Sequence, residues 1–210
     1  MSSDGHSLSP LQLRLLGTIF ERGAEAGSRA LTQWLGQAVH LTISEVDQVD
    51  ITEVSGLLGP EEATVAVCAM SFSGRLDGQL LLVFSDAAGL ALADMLLHQP
   101  SGTTIAWTEL ERSAACETAN IVGCAYLNAL SAHLPGGSAG QPETLIPGPP
   151  EFRHEFAASL LQFAVMEQAS ALERVLLIKT RFQAARADLD WVLLFVPTPH
   201  SLADLARSTA

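Results

Sequence analysis

Ser113, Glu117 and Asn120 stand at i, i+4 and i+7 in the run Ser-Ala-Ala-Cys-Glu-Thr-Ala-Asn. In a helix that spacing places all three on one face. The surrounding stretch is otherwise largely Ala, Ile, Val and Leu. A hydroxyl, a carboxylate and a carboxamide would therefore project together from an apolar rod. A carboxamide donates and accepts hydrogen bonds at once, whereas an ionised carboxylate only accepts. Such a trio either satisfies a buried neighbour or presents polar chemistry to a partner. The carboxamide stands out because the 210-residue chain holds only two asparagines, Asn120 and Asn128, both on this stretch. Asn128 reads as structural, bonded to a nearby loop, and Tyr126 as a packing residue with its hydroxyl satisfied.

The remaining reactive side chains form no comparable group. Cys68, Cys116 and Cys124 are odd in number and lie among largely apolar neighbours, as reduced core thiols do. Neither Cys-x-x-Cys nor His-x-x-x-His occurs, and the six histidines are scattered, so no intrinsic metal site is expected. One Gly-x-Ser-x-Gly match exists, from Gly136 to Gly140. A nucleophile elbow needs a strand before its serine and a helix after it. This match follows a helical pattern and runs on into Gln141-Pro142, so it reads as a loop. The formal net charge is −12, with a single lysine, Lys179, among eleven basic residues that do not cluster. Nucleic acid and anionic lipid both demand a basic stripe, so neither is an expected partner. No apolar run reaches the roughly 18 residues of a membrane span. Residues 1–8 are polar, read as a flexible N-terminus and lack a secretion-signal layout, so a cytoplasmic location is expected.

The elements that must carry the trio are legible in turn. Ser9-Pro10-Leu11-Gln12 is a capping box with proline at the first helical position, and Gly36 stops the helix that follows. Residues 39–54 read as short β-prone pieces mixed with turns. Residues 63–72 and 78–84 read as strands joined by a hairpin connection at 73–77. Ser85 caps a second helix running to about residue 98. Thr108-Glu109-Leu110-Glu111 is another capping box, and the helix behind it, which carries the trio, should run to about residue 133. Residues 136–150 are rich in Gly and Pro and read as a surface loop. Strands over 174–182 and 190–196 and a helix over 200–207 close the chain. Trp34, Trp107 and Trp191 read as core or rim residues.

This order repeats. Sliding residue 9 onto residue 108 aligns both capping boxes and pairs Leu11 with Leu110, Ala26 with Ala125, Ala30 with Ala129 and Leu31 with Leu130. Each half supplies a long helix, a hairpin and a shorter helix. One half cannot cover its own sheet, so the expectation is one α+β domain over residues 9–210. Its pseudo-repeats would span about 9–100 and 108–210, related by a pseudo-two-fold, sharing one continuous sheet flanked by the long helices. The repeats are not chemically equal. Arg14, Thr18 and Glu21 stand where Ser113, Glu117 and Asn120 stand in the second helix, so the first helix carries a degenerate copy.

The segment from Glu117 to Ser131, with its Ser-x-x-x-Glu-x-x-Asn motif, resembles the second-site helix of the CheC family of chemotaxis phosphatases. The duplicated layout resembles that family over nearly the whole chain. The resemblance implies a hydrolase acting on the phosphoaspartate of a CheY-type response regulator. It implies that Asn120 positions the attacking water and that Glu117 docks a cationic group of the partner, with Ser113 in support. No cofactor of the protein's own is implied, and Mg²⁺ is expected on the regulator. The family pattern places a proline twenty-three residues beyond the Asn, where Glu143 stands here. Pro142 lies one position short and is the nearest match. The related single-site CheX family is shorter, and rotor-switch relatives carry an extra C-terminal module. A second reading is a non-catalytic module that sequesters the phosphorylated regulator or binds a CheD-type deamidase.

Overall fold

The first helix, α1 (Pro10–Leu35), begins and ends where its local chemistry dictates. The Ser9 side chain accepts the Gln12 N–H at 3.3 Å, and the Gln12 side chain accepts the Ser9 N–H at 2.7 Å. Two N–H groups orphaned by the helix start are thereby satisfied. At the other end Gly36 takes φ 65°, a left-handed value suited to glycine, and donates to the Thr32 carbonyl. Leu16, Ile19, Phe20, Gly23, Ala24, Gly27, Leu31 and Leu35 form its buried stripe at helical spacing.

The computed structural model describes residues 7–50, 53–58, 60, 62–133, 144–157, 159, 174–184 and 187–208. Pro142, Glu143 and the 136–140 glycine motif lie outside these residues. After α1 come β1 (Val39–Asp50), the short α2 (Val54–Leu58), β2 (Thr64–Ser73), β3 (Gly78–Ser85) and α3 (Asp86–Leu96). Then follow α4 (Glu109–Ser131), β4 (Ile146–Pro147), β5 (Glu151–Phe156), β6 (Arg174–Ala184), β7 (Ala187–Pro197) and α5 (Pro199–Ser208). The fold is α+β, and among the described residues the strands form one antiparallel seven-stranded sheet in the order β1-β6-β7-β3-β2-β4, with β5 also on β2.

The two central strands of this order, β7 and β3, come from different halves of the chain. They pair from Gly78↔Pro197 to Val83↔Val192. Each outer strand crosses over: β1 lies on β6, and β5 lies on β2. β2 and β6 also share one burial pattern over ten successive positions, so that Phe72 and Phe182 occupy matching buried sites.

The core lies between this sheet and the two long helices. Phe72 of β2 stacks on Phe195 of β7 at 4.9 Å between ring centroids. Phe195 meets Phe20 of α1 at 6.1 Å, and Phe20 meets Tyr126 of α4 at 5.8 Å. This aromatic chain ties both helices to the middle of the sheet. The helices touch closely at Gly23, where an added Cβ would fall 3.0 Å from the Tyr126 Cα.

Three elements differ from the sequence expectation. Residues 39–50 form one continuous strand rather than pieces and turns. Its acidic residues belong to an exposed edge, where Glu45 pairs with Lys179 at 2.6 Å. A register shift between Ile43 and Glu45 leaves Ser44 unpaired in the ladder, and its hydroxyl donates to the Lys179 carbonyl. Residues 146–147, expected within a loop, pair with Phe72 and Ser73, and the charged edge strand β5 follows them. Leu8, expected in a flexible tail, is buried, and its N–H donates to Gln48 Oε1 at 2.8 Å. It precedes the cap residue, the position of a hydrophobic staple.

Candidate active site

α4 starts at a capping box in which the Glu111 carboxylate accepts the Thr108 N–H at 3.0 Å and also the Thr108 hydroxyl. The Thr108 hydroxyl first, then backbone N–H donors, hold the Glu111 carboxyl below its usual range. Just upstream, the buried Asp94 accepts the N–H groups of Gly102, Thr103 and Thr104. Burial alone would raise Asp94, but the donors of Thr104, Gly102 and Thr103 together outweigh it and leave it lowered. The Glu111 contacts close the start of α4, and those of Asp94 fix residues 102–104 of the loop before it.

The inward face of α4 includes Ala115, Ala119, Val122, Tyr126, Leu127 and Leu130. Small residues let the helix lie close to the sheet. A Cβ on Gly123 would meet the Met70 methyl of β2 at 2.2 Å. Tyr126 is sealed in the core with its hydroxyl 3.5 Å from Thr180 Oγ1, and burial pushes its phenol up to about 12.

The expected trio leaves the helix on another side. Ser113 and Glu117 are exposed and Asn120 is half-buried, so the carboxamide is neither sealed nor turned wholly into the core. Among the described residues, Ser113 and Glu117 have no hydrogen-bond or ion-pair partner. The Asn120 Oδ1 accepts the Cys124 thiol at 3.6 Å. Its NH₂ has no partner among the described residues, and Oδ1 keeps a second lone pair. Burial, and then the negative charge of Glu117, push the Cys124 thiol up. Glu117, Asn120 and Cys124 thus form one ridge with the carboxamide in the middle.

Of the three cysteines expected as core thiols, Cys68 is buried, Cys116 is half-buried, and so is Cys124. The signal that could have found it is its spacing, four residues beyond Asn120 on the same stripe. Asn128, expected to bond a loop, is exposed and has no side-chain partner among the described residues. Leu110, three residues before Ser113, is 57% exposed, and Ile105 in the preceding loop is 87% exposed. Apolar surface therefore lies at the N-terminal end of the ridge.

On α1 the matching positions are exposed but chemically different. Arg14 and Glu21 carry charges, and the Thr18 hydroxyl is spent on the Arg14 carbonyl at 3.3 Å. No carboxamide stands there. Among the described residues no group of His, Cys, Asp and Glu could hold a metal ion, and no helix is long and apolar enough to cross a membrane.

No protein-family model and no curated protein matches this sequence. Solved structures match it in fold. FliY of Thermotoga maritima superposes with a TM-score of 0.76 at 15% identity, over 96% of this chain and 97% of that one. The chain has the FliY fold. FliM in the FliM–SpeE complex from H. pylori gives a TM-score of 0.70 at 15% identity, over 97% of this chain and 98% of that one. The FliM middle domain from Vibro alginolyticus gives 0.64 at 18%, over 95% and 99%. In this chain's version of the FliY fold, the ridge of Glu117, Asn120 and Cys124 occupies a face of α4 that the sheet leaves uncovered.

Proposed function

We propose that this protein is a phosphatase that hydrolyses the phosphoaspartate of a CheY-type response regulator, with one working site on α4. The observation that carries this reading is the Asn120 carboxamide, partly exposed beside Glu117, with its NH₂ uncommitted among the described residues. An acyl phosphate already has a good leaving group. What it lacks is a water placed in line with phosphorus. Asn120 would hold that water through one donated and one accepted hydrogen bond, as glutamine does in GTPases. The water oxygen bonds to phosphorus as the bond to the aspartyl oxygen breaks, releasing inorganic phosphate and the free carboxylate. Glu117 would dock a cationic group of the regulator, and Ser113 would contact it at the ridge's edge. Mg²⁺ belongs to the regulator in this scheme. Orientation of this kind can lower a barrier by up to about 7–11 kcal/mol in favourable cases.

The chain is further read as one domain over residues 9–210, built from a duplicated half. The crossed strand order and the shared burial pattern of β2 and β6 support this reading. On it, Arg14, Thr18 and Glu21 are the inactive copy of the site, and the protein acts in the cytoplasm.

A second reading, a non-catalytic docking module, draws on the fold match to FliM, one match being FliM in complex with SpeE. Its partner would be the phosphorylated regulator or a CheD-type deamidase. The two readings separate on one experiment. A CheY-type regulator phosphorylated with acetyl phosphate is mixed with wild type or Asn120→Ala, and phosphate release is followed. The phosphatase reading expects faster release with wild type and loss of that gain in Asn120→Ala. Binding without acceleration by wild type would leave the docking module.

A further inference from the structure

We infer that Cys124 is a positioning residue for Asn120: its thiol holds the carboxamide oxygen so that the NH₂ faces outward from the ridge. The inference rests on the phosphatase reading for its catalytic consequence, while its geometric content stands apart from it. Three observations carry it. The Cys124 Sγ lies 3.6 Å from the Asn120 Oδ1, one helical turn away on the same stripe. No other side chain among the described residues bonds the carboxamide, so the thiol alone selects which end of the amide turns inward. Cys124 is half-buried, as Asn120 is, so thiol and carboxamide lie at the same level on the helix surface.

The chemistry of the pair sets the orientation. A thiol proton can be donated to the carbonyl oxygen but not to the NH₂, so a protonated Cys124 favours one amide orientation over its flip. Burial and the neighbouring Glu117 charge both keep that proton on sulfur. A thiolate would instead attract the NH₂ and turn the amide round. Glu117 would then serve twice, as the docking carboxylate and as the charge that preserves the thiol. Sulfur is a weak donor, so the expected gain is modest. Serine at this position would keep a donor, and alanine would remove it.

The sequence offers a clean test. With only Asn120 and Asn128 present, protein labelled with ¹⁵N at asparagine side chains shows two NH₂ pairs. The full-length wild type, Cys124→Ala and Cys124→Ser are compared. The inference expects the Asn120 pair to shift and become more mobile in Cys124→Ala, to stay near wild type in Cys124→Ser, and the Asn128 pair to be unmoved. With an acetyl-phosphate-labelled CheY-type regulator, kcat should fall about two- to fivefold in Cys124→Ala with KM unchanged, and recover in Cys124→Ser. An Asn120 pair that is identical in all three proteins overturns the inference whatever the activity. A mobile pair with unchanged kcat overturns the positioning role. A wild type that fails to release phosphate overturns the phosphatase reading alone, and the NH₂ spectra still decide whether Cys124 holds Asn120.

Discussion

Two side chains on the ridge are assigned different tasks, and kinetics can separate them. Asn120 acts on the attacking water, which matters only at the transition state, so Asn120→Ala should lower kcat by about a hundredfold or more with little change in KM. Glu117 acts in docking, so Glu117→Gln should raise KM and leave kcat nearly intact. Steady-state phosphate release against regulator concentration measures both. Most of this ridge is legible in the sequence, because a spacing of four and seven residues fixes the face whatever the tertiary context. Cys124 was less legible: a cysteine among apolar neighbours reads as core, and only the packing of α4 shows its sulfur half out of it. Asn128 is exposed, and no bond from its side chain is found among the described residues, which stop at 133 before the loop resumes at 144.

The boundaries of α1 and α4 follow from capping chemistry that is local, and local chemistry is what a sequence states openly. β1 and β5 were obscured for the same physical reason. Both are edge strands whose exposed charges break the apolar alternation that marks an inner strand. Two predictions belong to the elements. Gly23→Val should destabilise the fold by about 1–3 kcal/mol, because its side chain would press into Tyr126 and prise α1 from α4. A urea midpoint lowered with an unchanged m-value checks this. The second concerns acid. Glu111 and Asp94 are both held below the ordinary carboxylate range, so they stabilise the folded state fully above their unfolded values of about 4. That contribution should disappear as pH falls through the lower folded values. Urea midpoints between pH 6 and pH 3 should fall in wild type and fall less steeply in Glu111→Gln.

Across the whole molecule, the crossed sheet makes the halves interdependent. β1 has its strand partner in β6 of the other half, and β5 has its partner in β2. Residues 9–100 expressed alone would leave β1 unpaired and the aromatic chain from Phe72 to Tyr126 broken. They should show no cooperative thermal transition by circular dichroism, and adding residues 101–210 should restore one. An isolated half that melts cooperatively would contradict this architecture. The two capping boxes can be seen in the sequence, but the crossing of the outer strands cannot, because pairing between distant segments leaves no trace in local pattern. The sharpest test of the central claim is phosphate release from a phosphorylated CheY-type regulator present in large excess over this protein. A catalyst should discharge many regulator molecules per copy, and Asn120→Ala should do so about a hundredfold more slowly or worse. Phosphate loss at that spontaneous rate with wild type would contradict the account.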